Sequence, residues 1–322
     1  MFPLITKVVR KLRRAALPKA YRHMADYDRR LSLVGNGEMG PRRIVWKDRE
    51  IGLAGNPADV RGKYRGDCFI VCSGPSLNEV DLRSIAAYPC LAVNGSLLKF
   101  QEQGLQPDFY TAADRDFFEH HHPLIEHALS SPASCFFSLH GFSAFATKHR
   151  DCLPGRTIYL SETANRLYGK PRRPATAFSE QTSSDAELLA PSQGFDPRGI
   201  VGFSSNLAKG IFCGRTIAFQ ALQIAYHLGF RRIFFVGMDL GGAGTGPLRC
   251  YEEPRGQRPS LLEKEYAEYI LPSFEIVSRH RQQLELEVFN LSTHSRLPHA
   301  VIPKMDWLTA LELIGRESAR CA

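Results

Sequence analysis

The chain has 322 residues, of which 43% are hydrophobic and 23% are charged, and its formal net charge is +8. These proportions exclude wholesale disorder, and no apolar run approaches the roughly 20 residues of a membrane span. Residues 1–30 hold nine Lys and Arg against two Asp, so +7 of the +8 lies in this segment. The nearly neutral remainder argues against a nucleic-acid partner, which needs positive charge along a groove.

The basic N-terminal segment predicts an amphipathic helix. Lys and Arg alternate there with apolar residues at helical spacing, namely Ile5, Val8, Val9, Leu12 and Ala16. We expect residues 1–30 to lie on the anionic, cytoplasmic face of the inner membrane. Packing against the body of the protein, with the basic face in water, is the alternative. The eight cysteines form no CxxC pair, which is typical of reduced cysteines in the cytoplasm.

Residues 31–322 predict one Rossmann-like α/β domain. A hairpin is expected at 43–51, and an apolar stripe predicts a helix over 217–228 that ends at Gly229. Short apolar runs predict strands at 68–72, 90–93, 108–111, 135–139, 157–160, 233–237 and 286–291. Since several runs are continuously apolar and alternate with helices, we expect a doubly wound, mostly parallel sheet. Residues 169–200 and 241–262 are predicted to be long loops.

The loop Ser73-Gly74-Pro75-Ser76 follows the first predicted strand of the parallel sheet. In such sheets, ligands bind beyond the carboxyl ends of the strands. Ser76 and Glu79 have capping-box spacing, which predicts that a helix begins there and offers N–H groups to a phosphate. A well-capped helix that binds no ligand is the alternative.

Polar residues also follow the second and third strands. Asn94 can offer both a donor and an acceptor to a sugar or a base, or it can belong to an ordinary Asn-Gly turn. Asp114 and Asp116 form a D-x-D pair, a short pattern that holds a divalent cation in metal-dependent nucleotide-sugar transferases but also occurs by chance. The histidines at 120–122 favour a solvated helix surface over a metal site.

Two more segments are candidates for binding an anion. Arg215 and Thr216 stand at the head of the helix predicted over 217–228, where a guanidinium and a hydroxyl can hold a phosphate or a carboxylate. A local ion pair of Arg215 is the alternative. Asp239 follows the strand at 233–237 and opens a Gly-rich segment, which we interpret as a lid over about residues 241–262. An ordinary surface loop is the alternative here.

The order of these blocks resembles a known family. SGPSL after one strand, VN after the next, and GRTIAFQALQIAYHLGFRRIFFVGMDL are similar to blocks of the bacterial sialyltransferases of glycosyltransferase family 42. They also resemble the related lipopolysaccharide-core proteins that add 3-deoxy-manno-octulosonate (Kdo). The resemblance covers about residues 66–297. It implies a CMP-sugar as donor substrate, with no metal and no other cofactor.

The resemblance also implies roles for individual residues. Those implied to bind the CMP-sugar are Ser73, Gly74, Pro75, Ser76, Asn94, Thr216 and Asp239. Arg215 and Tyr251 are implied to stabilise the departing phosphate. The family's general base is a His just after the lid, where this chain has none, and a rough register places Glu265 or Glu268 there. A carboxylate with a pKa raised by burial can act as the base, whereas a charged helix face is the alternative.

We therefore predict an inverting glycosyltransferase that moves Kdo or another nonulosonate from a CMP-sugar to a lipopolysaccharide or related glycolipid. It would act as a peripheral protein on the inner face of the cytoplasmic membrane. Three alternatives stay open. They are a pyrophosphokinase or phosphotransferase with a similar G-P-S loop, a metal-dependent UDP-sugar transferase that uses Asp114 and Asp116, and a non-catalytic subunit of a surface-polysaccharide assembly.

Overall fold

The computed structural model describes residues 9, 11–12, 14–27, 30–35, 40–149, 151, 155–191, 195–241, 247–251 and 260–321. Most of the predicted lid, at 242–246 and 252–259, and the start of the predicted basic helix lie outside these residues. Residues 11–12 and 14–16 are helical, and a 3-10 helix follows at Lys19–Asp26. None of the described helices combines the length and the apolar composition that a bilayer crossing requires.

The strands of the described chain form one large sheet and one small one. The strands are β1 (Leu31–Val34), β2 (Arg42–Trp46), β3 (Arg49–Ala54), β4 (Asp67–Val71), β5 (Cys90–Val93), β6 (Phe109–Ala112), β7 (Ser134–Phe137), β8 (Thr157–Leu160), β9 (Leu188–Leu189), β10 (Phe203–Ser204), β11 (Arg232–Val236) and β12 (Glu287–Asn290). Every strand predicted from an apolar run is confirmed. The predicted hairpin is also confirmed as β2 and β3, which are joined by Lys47 and Asp48 in left-handed conformations.

The large sheet of the described residues has ten strands in the order β1-β2-β3-β8-β7-β6-β5-β4-β11-β12. The β1–β2 and β2–β3 pairs are antiparallel, and the pairs from β3 through β12 are parallel. The chain therefore reverses its direction of travel across the sheet after β8 and returns at β11, beside β4. The predicted mostly parallel α/β fold is confirmed.

Helices cover both faces of this sheet. They are α1 (Leu97–Glu102), α2 (Arg115–His120), α3 (His122–Ser130), α4 (Leu139–Ala146), α5 (Ala175–Ser184), α6 (Ile217–Leu228), α7 (Leu262–Glu265), α8 (Leu271–His280) and α9 (Trp307–Cys321). A π-helical turn at Tyr266–Ile270 joins α7 to α8. Alternate residues of β4 enter two apolar cores, with Ile70 facing the core of α6 and α8, and Phe69 facing the core of α1 to α4 and α9.

The predicted loop over 169–200 is wrong, because it contains α5 and β9. The α5 sequence ATAFSEQTSS is rich in Ser and Thr, which are weak helix formers. Phe178 of α5 is buried and its ring lies near those of Phe195 and Phe212. Tertiary packing of one aromatic side chain therefore stabilises a helix that local propensity does not predict.

Candidate functional site

A cleft of about 1120 Å³ lies where the parallel strands end. Its lining includes a polar residue from the carboxyl end of each of five neighbouring strands, namely Ser73, Asn94, Asp114, Ser138 and Ser161. Gly237 and Asp239, which follow β11, complete this edge. The structure thus brings together Ser73, Gly74, Asn94, Arg215, Thr216, Asp239 and Glu265 of the predicted site. We refer to Ser73, Gly74, Asn94, Arg215, Thr216 and Asp239 as the glycine-loop end of the cleft.

The helix predicted to begin at Ser76 is a short 3-10 helix at Pro75–Glu79, and Ser76 does not cap it. Instead, the Ser76 hydroxyl donates to Asp239 Oδ1 at 2.6 Å and the Ser76 backbone N–H donates to Asp239 Oδ2 at 2.9 Å. The Ser292 hydroxyl lies 3.0 Å from that of Ser76. The buried Asp239 carboxylate therefore occupies the position at Ser76 where a phosphate was expected, and it fixes the loop to the end of β11.

Gly74 is required by a close approach of two chain segments. A Cβ atom at Gly74 would lie 2.3 Å from Asp239 Oδ2 and 2.5 Å from the Gly237 carbonyl oxygen. The Gly74 N–H donates to that same carbonyl at 2.9 Å. The Gly237 carbonyl is backbone, and the buried Asp239 carboxylate is held by two hydrogen bonds from Ser76, so a larger residue at 74 must displace the loop.

Asn94 has an unsatisfied polar atom in the cleft. Its backbone is left-handed, with φ of 48°, a conformation that Asn tolerates better than most residues. Its Oδ1 is shielded from solvent and accepts no hydrogen bond from a described residue. A buried acceptor without a donor costs free energy, so this oxygen indicates a position where a ligand donates.

Tyr251 does not line the cleft but lies beside Asn94. A Cβ atom at Gly95 would lie 2.0 Å from the Tyr251 ring, so the ring packs directly on the Gly95 backbone. The ring also contacts His121 edge to face. The Cys250 N–H donates to the Ser73 carbonyl at 2.9 Å, which holds segment 247–251 across the glycine-loop end.

Arg215 and Thr216 lie at the start of α6. Gly214 and Arg215 are both left-handed, with φ of 52° and 55°. Thr216 is the N-cap residue of α6, but its side chain makes no capping hydrogen bond. The N-terminal N–H groups of α6 and the Arg215 guanidinium thus face one end of the cleft, an arrangement that suits an anion.

Glu265 pairs with Arg215, whereas Glu268 points elsewhere. Glu265 Oε1 lies 3.6 Å from Arg215 Nε, and the Glu265 side chain is largely buried in the cleft wall. The Arg215 guanidinium also lies 5.4 Å from the centre of the Tyr269 ring. Glu268 is exposed, accepts a hydrogen bond from the Tyr269 hydroxyl and is not among the residues that line the cleft.

The acidic pair and the histidines have separate local roles. Asp114 caps α2 by accepting the Asp116 N–H at 2.9 Å, and both residues line the cleft. His122, Glu126 and His149 present ligand atoms that all lie within 4.8 Å of one another. The His122 and His149 rings stack with centroids 4.4 Å apart, a contact through ring faces.

Six cysteines of the described residues are free thiols, namely Cys68, Cys72, Cys90, Cys135, Cys213 and Cys250, and the first four of them are buried. Burial raises the pKa of Cys90 to about 12, and burial also raises the pKa of Cys250 to about 11. Thiols with such pKa values stay protonated near neutral pH and are poor nucleophiles.

The sequence patterns do not predict the remaining wall of the cleft. The basic wall, as we define it, consists of Arg14, Lys19, Arg22, Arg166 and Arg172. His140, which follows β7, lies in the same lining, and its ring contacts Tyr27. Residues 17–27 pack against the body of the protein, and Lys19 and Arg22 of this segment line the cleft. A helix pattern alone does not indicate what its polar face meets.

Comparison with known proteins gives one family. The model described as 3-deoxy-D-manno-octulosonic acid transferase WaaZ matches residues 58–308. A Salmonella typhimurium protein named "Probable 3-deoxy-manno-octulosonic acid transferase" is 27% identical over 257 residues, which are 77% of this chain and 88% of that protein. An Escherichia coli protein of the same name is 26% identical over 253 residues, 76% of this chain and 84% of that protein.

Among solved structures, the monofunctional alpha-2,3-sialyltransferase Cst-I from Campylobacter jejuni matches with a TM-score of 0.40. The sequence identity is 13%, and the match covers 73% of this chain and 81% of Cst-I. The family match from 58 to 308 contains the whole glycine-loop end and Glu265, whereas residues 14–27 precede it.

Proposed function

Because this chain belongs to the WaaZ family of 3-deoxy-D-manno-octulosonic acid transferases, we propose that it transfers Kdo from CMP-Kdo to a lipopolysaccharide-type glycolipid. The predicted family relationship and the predicted glycosyltransferase class are confirmed by the family match. The donor, the acceptor and the residue roles given below are the proposal. It is supported by a cleft with an unsatisfied acceptor, a cation and a helix N-terminus at one end.

The observation that carries the proposal is the buried, unsatisfied Oδ1 of Asn94. A CMP-sugar offers several donors to such an oxygen, including the cytosine amino group and the sugar hydroxyls. Among these donors, the cytosine amino group is the one that a UDP-sugar lacks, because uracil has a carbonyl oxygen in its place. We assign Asn94 Oδ1 to contact with the nucleotide, at that amino group.

We assign the anions of the donor to Arg215 and the start of α6. CMP-Kdo carries a phosphate diester and a carboxylate, and the Arg215 guanidinium can bind either one with two hydrogen bonds. Glu265 then acts as a positioning residue that orients Arg215 through the ion pair at 3.6 Å. In this scheme a cation of the protein, rather than a divalent metal, balances the charge that develops on the leaving phosphate.

The proposed reaction is a direct displacement. The acceptor hydroxyl oxygen forms a bond to the anomeric carbon, the bond from that carbon to the phosphate oxygen breaks, and CMP leaves. We place the hydroxyl proton on His140, because it lines the cleft directly after β7, a strand that lies between β8 on the side of the basic wall and β5 and β4 at the glycine-loop end, and because an imidazole nitrogen can accept a proton. We assign to Tyr251, whose ring packs on Gly95 beside Asn94, the donation of a proton to the departing phosphate.

The N-terminal helical residues support attachment to a membrane surface. Val9 and Leu12 are 39% and 65% exposed, and Lys11 and Arg14 lie between and beyond them. Apolar side chains exposed next to cations suit the interface of an anionic leaflet. We propose peripheral binding to the cytoplasmic face of the inner membrane, where a lipid-linked acceptor is available.

The test is CMP release from CMP-Kdo in the presence of EDTA, compared with turnover of UDP-sugars with manganese. We expect turnover of CMP-Kdo only, and a loss of about 100-fold or more in kcat/KM for Arg215→Ala. Arg65→Gln, an exposed arginine outside the cleft lining, is the matched control and should behave as wild type. Turnover only with UDP-sugars and manganese would overturn the proposal and move the chemistry to Asp114 and Asp116.

The split between kcat and KM in the same assay separates His140 from Glu265. We expect His140→Gln to lower kcat strongly with little change in the KM for the donor, since the group that takes the proton is then absent. Glu265→Gln should mainly raise the KM for the donor through a misplaced Arg215. An unchanged kcat in His140→Gln would contradict the assignment of the base.

A further inference from the structure

The basic wall is formed by two chain segments that are far apart in sequence. Segment 17–27 contributes Arg22, and the loop that follows β8 contributes Arg166 and Arg172. The family match begins at residue 58, so Arg22 lies outside it while Arg166 and Arg172 lie inside. The wall is therefore a feature of this whole chain rather than of the matched region alone.

Specific contacts hold the two segments together. The Arg172 N–H donates to the Ala20 carbonyl at 2.8 Å, and His23 Nε2 lies 3.2 Å from the Leu167 carbonyl oxygen. The Tyr27 and Tyr168 rings meet edge to face at 5.6 Å. Segment 17–27 is thus docked at three points, which fixes its position beside the cleft.

The loop after β8 is itself well fixed. The Asn165 side chain accepts the Arg173 N–H at 2.8 Å and donates to the Pro197 carbonyl at 3.0 Å. Glu162 accepts hydrogen bonds from the Tyr168 N–H and from Arg42. Arg166 therefore projects from a loop that is held at both ends, as a preorganised binding group requires.

The arginines of the wall have no acidic partner in the described part of the chain. Within the described part of the chain, no carboxylate forms an ion pair with Arg22, Arg166 or Arg172. The Asp196 carboxylate, which acts on Arg166 at a distance, is itself bound by both arms of Arg198. Burial, followed by the charge of Arg172, holds the pKa of the Arg166 guanidinium below its usual value.

Arg166 also has a donor without an acceptor. Its Nε is shielded from solvent and donates to no described residue. A buried N–H of a charged group is costly to leave unsatisfied, and several like charges close together add to the cost. An anion placed among these side chains would satisfy the donor and remove the repulsion.

The position of the basic wall indicates which of the two substrates would carry the anion that binds there. Ser73, Asn94 and Asp239 of the glycine-loop end follow β4, β5 and β11, whereas Arg166 and Arg172 of the wall follow β8, at least three strands away along the same edge. The loop after β8 meets the segment before Arg215, where the Ala164 N–H donates to the Ile211 carbonyl at 2.8 Å, so the wall continues from the Arg215 side of the cleft. With CMP-Kdo held at the glycine-loop end, the wall faces the second substrate. His140, the proposed base, follows β7, which lies between β8 and β5 in the sheet.

We propose that the basic wall is an acceptor subsite that binds carboxylate or phosphate groups of an anionic saccharide. The inference rests on the proposed function, because it is the CMP-sugar at the glycine-loop end that leaves the wall for the acceptor. It names the acceptor class through charge, and Arg22, Arg166 and Arg172 are its specificity-determining residues.

Calorimetric titration on the full chain tests the subsite, with CMP present to fill the glycine-loop end. One matched pair of probes is the methyl glycoside of Kdo and its neutral methyl ester, and the other is a heptose phosphate and the unphosphorylated heptose. We expect each anionic probe to bind at least tenfold more tightly than its neutral partner. The preferred pair identifies whether the subsite reads a carboxylate or a phosphate.

Substitutions then locate the subsite. Arg22→Gln, Arg166→Gln and Arg172→Gln should each weaken binding of the anionic probe about tenfold, the factor that corresponds to about 1.4 kcal/mol. Binding of the neutral probe should not change, and Arg65→Gln should match wild type. Arg22 is exposed and Arg166 is half-buried. Substitution of an exposed residue disturbs the fold less, so Arg22→Gln keeps the test valid if Arg166→Gln fails to fold.

Equal affinity for anionic and neutral probes, or wild-type affinity for the anionic probe in all three variants, would overturn the subsite. A chain that does not bind CMP or release it from CMP-Kdo would instead overturn the proposed function. Because probe binding is measured without turnover, the two failures are distinct.

Discussion

Ser76 and Asp239 bind each other beside the glycine-loop end, whereas in the basic wall the charges have no partner of opposite sign among the described residues. Asp239 takes two hydrogen bonds from Ser76, and Gly74 admits the contact through its missing side chain. Arg166 keeps a buried donor without an acceptor. Both regions line one cleft.

This difference indicates how the two substrates are selected. A loop fixed by its own hydrogen bonds keeps one shape and can hold the reacting part of a common donor in place. A set of unneutralised cations binds any ligand with anions at suitable spacing, and it excludes neutral ones. We infer that the donor is recognised by a fixed loop and one cation that is paired with Glu265, and the acceptor by cations without an acidic partner.

The largest effect on this comparison is expected from Gly74→Ala. The new Cβ would contact Asp239 and the Gly237 carbonyl, so the loop must move and we expect a loss of about 1–3 kcal/mol in the free energy of unfolding. CMP binding should be lost as well. Urea unfolding and CMP titration measure the two effects.

Gly104→Ala is the matched control for this variant. Gly104 is left-handed, with φ of 67°, but a Cβ atom there meets nothing within 4 Å. It should cost stability through backbone strain alone, about 1 kcal/mol, and keep CMP binding. If Gly74→Ala behaves like this control, the close approach to Asp239 does not matter for the site.

A second prediction concerns Glu187, a charged residue that has partners of opposite charge and therefore serves as a comparison for the unpaired cations of the basic wall. Burial by itself would raise the pKa of Glu187, but hydrogen bonds from Lys209, Asn206 and Arg61 lower it to about 2. A lowered pKa stabilises the fold above the unfolded value of 4.5, and this contribution is lost as the pH falls toward 2. Glu187→Gln should cost about 1 kcal/mol at pH 7, allowing for partial solvent screening.

Unfolding at pH 7 and pH 3 checks this sign. The difference between wild type and Glu187→Gln should shrink at the lower pH, because the wild-type side chain then approaches protonation. Glu263→Gln, which removes a pair between Glu263 and Arg296 with Glu263 84% exposed, should change stability by less than about 0.5 kcal/mol. A pH-independent difference for Glu187→Gln would contradict the role given to its charge.

The smallest predicted change in the free energy of unfolding is that of Arg166→Gln, and it tests whether the cations of the basic wall contribute to stability. Arg166→Gln should leave the free energy of unfolding within about 0.5 kcal/mol of wild type or raise it, since it relieves repulsion with Arg172. Lys209→Gln removes a cation that pairs with Asp185 and Glu187 and should destabilise the fold clearly. Urea unfolding compares them, and a larger loss for Arg166→Gln would show that this arginine is structural.

The sheet could be predicted from the sequence because local residues determine it. Runs such as CFIVC at 68–72 are apolar on both faces, and this is required of strands that enter two cores. The apolar stripe at Ile217–Leu228 also predicts its helix from local residues alone. The helix ends at Gly229, which adopts φ of 117°, a conformation that favours glycine.

The site was predictable only in part because its decisive contacts join distant residues. Ser76 and Glu79 have the spacing of a capping box, but Asp239, 163 positions away, takes the Ser76 hydroxyl. In the same way, the pairing of Glu265 with Arg215 and the docking of Ala20 on Arg172 follow from the chain's path through space. Helical spacing in residues 1–30 predicts a basic face but not the cleft that it lines.

The central claim is that the cleft binds a cytidine nucleotide through Asn94, and calorimetric titration of CMP and UMP tests it most directly. Asn94→Gly is the informative variant, because glycine accepts the left-handed backbone and loses only the side chain. The account predicts that CMP binds more tightly than UMP to wild type and that Asn94→Gly weakens CMP binding about tenfold. Equal binding of CMP and UMP, or unchanged CMP affinity in Asn94→Gly, would contradict it.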